Sequence, residues 1–216
     1  MADAAPDDPV GVALAALRAG RVDEAERGFR AILAAAPGNR DAMHGLGVAL
    51  AAADRPEQAM AWLDRAIADG AVPATWHANR GAALHRLGRH GEAAAAYRAA
   101  IARGGEGSAR MHVGLGDAAM AAREFAAARD AYARVVALSP EMVVAWNNLG
   151  NALQELGEIE PAIAAYGRAL ALRADLPETL TNLANALNAG DRAGEALQAV
   201  DRALALRPDL VPAMVG

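Results

Sequence analysis

Apolar residues in this chain recur at helical spacing in short blocks, and each block is broken by a tight polar step. In residues 143–176, Trp146, Leu149, Gly150 and Leu153 form one stripe, and Ala162, Tyr166, Ala169 and Leu170 form a second. Leu156-Gly157-Glu158 interrupts the period between them. The pattern predicts a helix, a tight turn and a second helix running back along the first.

The same block repeats every 34 residues. Six copies span 6–39, 40–73, 74–107, 109–142, 143–176 and 177–210, with Ser108 as one inserted residue. The eighth position is always small: Ala13, Gly47, Gly81, Gly116, Gly150 and Ala184. The twentieth is always alanine: Ala25, Ala59, Ala93, Ala128, Ala162 and Ala196. The twenty-fourth is larger: Phe29, Leu63, Tyr97, Tyr132, Tyr166 and Val200. Small residues at the eighth and twentieth positions are expected to face each other, with the larger side chain filling the space beside them. Pro37, Pro140 and Pro208 close three copies, because the residue before a proline is biased out of the helical region. A single helical hairpin cannot bury its apolar face, whereas stacked hairpins can.

Composition sharpens this picture. The chain has 216 residues, 54% hydrophobic but only 4% aromatic, and alanine occupies 61 positions. Alanine favours helices and lets their axes approach closely, while strand-forming side chains are scarce. Absence of cysteine removes disulfides, thiolate metal sites and a cysteine nucleophile. Residues 1–5 are expected to be disordered, and the acidic start lacks the apolar core of a signal peptide. No long apolar run is free of charge, so membrane insertion is not expected and the cytoplasm is the default location.

The arrangement of Trp146, Leu149, Gly150, Ala162, Tyr166 and Ala169, with their equivalents, resembles the tetratricopeptide repeat family over residues 6–210. The resemblance implies an all-α, right-handed superhelical solenoid of antiparallel helix pairs. The first helix of each pair would line a concave groove. The third copy departs from the pattern, with Arg80 in place of a leucine and His77 in place of the large apolar residue. In the first, Pro9 is expected to open a shortened helix capped by Asp7 or Asp8. Three glycines in Arg103–Ser108 predict an irregular turn there, read as a hinge or as a surface loop.

If the first helices line a groove, ligand-facing side chains sit beside the packing stripe. The candidates are Asn79, His85, Asp117, Asn147, Asn148, Asn151, Gln154, Asn182, Asn185 and Asn188. Amides offer donors and an acceptor, so a row of them suits the backbone of an extended peptide. The row is similar to the asparagine ladder of O-linked N-acetylglucosamine transferases; the alternative role is pairing with neighbouring helices. The early copies offer Gly11, Gly45, Leu14, Val48, Leu17 and Ala51 instead, a small apolar wall. With no lysine and only Arg110 at the relevant positions, the carboxylate clamp used by other members of the family is absent.

No catalytic pattern emerges. Gly114-Leu-Gly-Asp-Ala-Ala119 fits a loose dinucleotide motif but lies inside a helical stripe, without the strand and turn that the motif needs. Ser108 and Ser139 sit near loop signals, outside any nucleophile elbow. The five histidines show no metal-ligand spacing, and His85 and His90 are expected to be surface imidazoles flanking a turn. A pI near 5.5 with scattered arginines disfavours nucleic acid. Residues 211–216 look like the start of a seventh copy, which leaves an apolar edge around Leu197, Val200 and Leu204 for a partner or for self-association. The expected function is a non-catalytic scaffold for protein–protein interaction, without cofactor or metal, that binds an extended peptide or a partner helix. The alternative is the substrate-recruiting arm of a larger bacterial enzyme such as a glycosyltransferase.

Overall fold

A computed structural model describes residues 8–68 and 70–209. Residues 1–5 and 211–216, for which disorder and a further repeat are expected, lie outside this range. The described residues form twelve α-helices and no strand. They are α1 (Pro9–Arg18), α2 (Val22–Ala35), α3 (Arg40–Ala52), α4 (Pro56–Ile67), α5 (Ala74–Arg86) and α6 (His90–Ala100), followed by α7 (Ala109–Ala121), α8 (Phe125–Leu138), α9 (Val143–Glu155), α10 (Ile159–Leu172), α11 (Pro177–Ala189) and α12 (Ala193–Leu206). Each odd-numbered helix packs on the even-numbered helix that follows it.

The chain divides into two compact bodies, residues 1–105 and 106–216. Within the first body, α2 also packs on α3 and α4 on α5; within the second, α8 packs on α9 and α10 on α11. Every second helix that is followed by another repeat in its body therefore serves two neighbours, and in the second body one core cluster runs from Ala119 of α7 to Ala186 of α11. All six alanines of the twentieth position are buried, as are the rings of Phe29, Tyr132 and Tyr166.

The eighth position shows why it must be small. A Cβ on Gly116 would lie 2.6 Å from Cε1 of Tyr132, and one on Gly81 would lie 2.9 Å from Cε2 of Tyr97. On Gly47 it would meet Cγ of Leu63 at 2.7 Å. The side chain at the twenty-fourth position thus lies directly across the glycine, in the volume a methyl group would take. The same device joins successive repeats in one place, where Phe29 lies across Gly45 of α3.

Each hairpin reverses through one left-handed residue at the fifteenth position. Gly20, Gly88 and Gly157 have φ between 71° and 74°. Asp54, Arg123 and Asp191 hold φ of 58° to 60° with a side chain attached. The following N–H then reaches the carbonyl five residues back, as in Arg55 to Leu50 at 3.0 Å and Glu124 to Ala119 at 2.8 Å. This closure satisfies carbonyls left open by the end of the first helix. At the start of α1, Pro9 takes the first helical position behind Asp8, which makes no side-chain capping bond. After α6 the chain widens through Ile101–Gly105, where Gly104 has φ 99°. Ser108 then caps α7 by accepting from the Met111 N–H at 3.4 Å.

Two outcomes test this packing. Gly116→Ala should destabilise the chain by about 1–3 kcal/mol in urea unfolding, because Tyr132 is enclosed and cannot retreat. Arg123→Gly should stabilise it by roughly 0.5 kcal/mol, the left-handed penalty less the entropy that glycine costs. A loss of stability would mean that the stacking of Arg123 over Phe125 outweighs the strain.

Candidate functional site

In the second body, the first helices α7, α9 and α11 carry Asp117, Asn147, Asn148, Asn151, Gln154, Asn182, Asn185 and Asn188. Packing across the eighth position decides much of their chemistry. The Tyr132 ring passes Gly116 and its hydroxyl donates to Asp117 Oδ1 at 2.6 Å. Asn148 hydrogen-bonds the same hydroxyl. The Tyr166 ring passes Gly150, and its hydroxyl lies 2.8 Å from Asn151 Oδ1 and 3.2 Å from Gln154 Oε1. Burial pushes both phenols above the ordinary tyrosine range, reinforced by Asp117 at Tyr132 and by Glu155 at Tyr166. Both therefore remain neutral donors.

A second set of bonds ties α9 to α11. Asn182 Nδ2 donates to Asn151 Oδ1 at 3.1 Å and lies 3.4 Å from Asn147 Oδ1. Thr179, buried at 4% exposure, donates to Asn147 Oδ1 at 3.0 Å. Asn147 in turn donates to Asn148 Oδ1 at 3.4 Å. The structure thus brings together six of the eight polar side chains, through hydroxyls that sequence reasoning missed. Asn185 and Asn188 have no hydrogen-bond partner among the described residues. Asn185 holds the position of Asp117 and Asn151, but Val200 stands where a tyrosine would supply the hydroxyl.

The first body contains the same arrangement with different side chains. His44, Trp76 and Asn79 occupy the positions of Asn147, Thr179 and Asn182. The His44 ring stacks on Trp76 with centroids 4.5 Å apart and planes 6° apart. Asn79 Nδ2 lies 3.1 Å from His44 Nε2, so it donates to a neutral imidazole whose proton is on Nδ1. Arg40 stands over Trp76 with its Cζ 5.8 Å from the ring centroid, and gives Nε and Nη2 to the Ala66 carbonyl. Trp76 is buried at the third position of its repeat, as are Ala42, Met111, Ala145 and Thr179 at theirs. Burial lowers the pKa of His44 to about 4.

His85 departs from the expectation of a surface imidazole. It is half-buried and faces His90 with ring centroids 4.9 Å apart. Among the described residues, no group of three or more His, Asp or Glu side chains is placed to hold a metal ion, and no helix is long and apolar enough to cross a membrane. An open apolar groove of about 840 Å³ runs along α1 and α2, between Val12, Ala16, Gly28, Ile32 and Ala35. On α12, Leu197 and Leu206 are 63% and 48% exposed.

Family models of the tetratricopeptide repeat match residues 16–80, 63–109, 79–143 and 143–176. Together they cover about three quarters of the chain, which belongs to the tetratricopeptide repeat family. No curated protein matches the sequence. Among solved structures, the chain is similar to YrrB, a tetratricopeptide repeat protein with an unusual peptide-binding site. That similarity has a TM-score of 0.77 at 18% identity, covering 84% of this chain and 93% of YrrB. PilF of Pseudomonas aeruginosa has a TM-score of 0.70 at 19% identity, with 93% and 91% covered. MamA of Desulfovibrio magneticus has a TM-score of 0.72 at 17% identity, with 79% and 96% covered. These likenesses carry the fold. They do not extend to the narrower resemblance to O-linked N-acetylglucosamine transferases.

The His44 environment makes stability depend on pH. The unfolded chain takes up a proton near pH 6.5 and the folded chain only near pH 4. The contribution is therefore complete above pH 6.5 and is lost as pH falls toward 4. Wild-type chain should lose about 2 kcal/mol more than His44→Gln between pH 7 and pH 5 in urea unfolding. Parallel pH profiles would disprove this coupling.

Proposed function

We propose that the chain is a non-catalytic scaffold that holds an extended peptide or a partner helix against the face formed by the first helices of its second body, α7, α9 and α11. The observation that carries this reading is the hydrogen-bonding capacity left after the internal bonds are counted. Asn185 and Asn188 keep whole amides, and Asn182 keeps its oxygen after giving its nitrogen to Asn147 and Asn151. An amide row of this kind meets a peptide backbone with both donors and acceptors and does not require a particular ligand charge. Likeness of fold to YrrB, a protein with a peptide-binding site of its own, supports the reading. So does the likeness to the Cut9 and Hcn1 assembly, a TM-score of 0.61 with 94% of this chain and 40% of that one covered.

The internal bonds decide how the reading must be tested. Replacing Asn147 or Asn151 strips a partner from Thr179, Tyr166 or Asn182, so lost binding would report lost packing. Asn185→Ala with Asn188→Ala removes amides that hold nothing else. Peptides captured from a random-sequence display library by the wild-type chain should bind the double variant at least about tenfold more weakly, at unchanged thermal stability. Equal binding of every captured peptide would refute the amide face.

A further inference from the structure

The turn between α5 and α6 holds a pair of groups, one of them the groove candidate His85, whose Nδ1 atoms no bond of the fold uses. His85 closes the last turn of α5 and His90 opens α6. They occupy the twelfth and seventeenth positions of the third repeat, where the first repeat has Leu17 and Val22 and the fourth has Met120 and Phe125. Two imidazoles thus stand at the hairpin's closed end where those two repeats carry an apolar pair. Their rings lie 4.9 Å apart at 58°. Both Nδ1 atoms are buried and neither has a hydrogen-bond partner. A buried polar atom without a partner costs about 1–3 kcal/mol, so two in contact call for a common cause.

We propose that His85 and His90 form a two-imidazole site for a late first-row divalent metal ion such as Zn2+, bound through the two Nδ1 atoms and completed by water. Two imidazoles on one tetrahedral ion, at Zn–N about 2.1 Å, set their ring centroids about 5 Å apart, the separation found here. Imidazole nitrogen suits this class of ion, and one ion satisfies both orphaned atoms. Neighbouring cations are already neutralised. Arg86 gives its guanidinium to Asp54 and to the Ala51 carbonyl, and Arg89 pairs with Glu92 at 2.7 Å. The bound ion would cross-link the two helices of the third repeat, the repeat whose first helix departs furthest from the apolar pattern.

The test is Zn2+ titrated into the whole, untagged chain, followed by calorimetry and by the imidazole nitrogen resonances. One ion should bind per chain. The Nδ1 signals of His85 and His90 should move while those of His44, His77 and His112 stay. His85→Gln and His90→Gln should each weaken binding by at least about tenfold. The resonance measurement needs only the wild-type chain, so it decides the matter even if a variant fails to fold. Absence of binding, movement confined to other histidines, or binding that survives both substitutions would overturn the site.

Discussion

The architecture depends on one steric condition: a missing methyl group where the two helices of a hairpin cross. At Gly47, Gly81, Gly116 and Gly150 the volume of a Cβ is taken by the side chain from the twenty-fourth position. Cavity and overpacking costs then act together. A smaller side chain would leave a void, and a larger eighth residue would force the helices apart. The outer repeats carry alanine at the eighth position, and the smaller Val200 packs against the core cluster that holds Ala184. Gly28 reverses the roles in the first repeat, since a Cβ there would lie 3.0 Å from that of Ala13.

This packing device also writes the chemistry of the first-helix face. A tyrosine that crosses the glycine is long enough for its hydroxyl to emerge beside the ninth position, where it meets Asp117 or Asn151. Packing and polarity are therefore coupled in the middle repeats: the ring that fills the core also consumes hydrogen-bonding capacity outside it. Links between successive first helices consume more. Thr179 and Asn182 close on Asn147 in one body, and Trp76 and Asn79 close on His44 in the other. The first is a hydroxyl and amide cluster, and the second is an aromatic stack with a neutral imidazole. One backbone geometry accepts both because each fills its space and satisfies its polar atoms.

What the sequence discloses and what it withholds follow from the same physics. Positions 8, 20 and 24 are legible because size alone constrains them and six copies average out the exceptions. The helix pairs follow from that period. The direction of each amide is not legible, since Asn147 or Asn151 can turn toward a ligand or toward any donor in reach, and the donor comes from another helix. A tyrosine at the twenty-fourth position together with a polar ninth position is the available signal, and it separates Asn151 from Asn185. Trp76 is hidden because its third position is buried from the second repeat to the sixth by side chains of unlike size, Ala42, Met111, Ala145 and Thr179 among them. His85 and His90 are hidden because five residues across a turn is no helical spacing. Their twelfth and seventeenth positions, apolar in the first and fourth repeats, mark them as neighbours.

Departures from the repeat gather in the third copy, and together they have a consistent physical meaning. Trp76, beside His77, stacks on His44 and draws Arg40 over its face. Arg80, where an apolar residue belongs, instead pairs with Asp64 of α4 at 2.6 Å. At Arg80 the missing apolar side chain is made good by a group with its own partner. The histidine pair at the closed end is the exception, because its two Nδ1 atoms face no partner in the chain. In a repeat that otherwise compensates its substitutions, an uncompensated pair is where a group from outside the chain belongs.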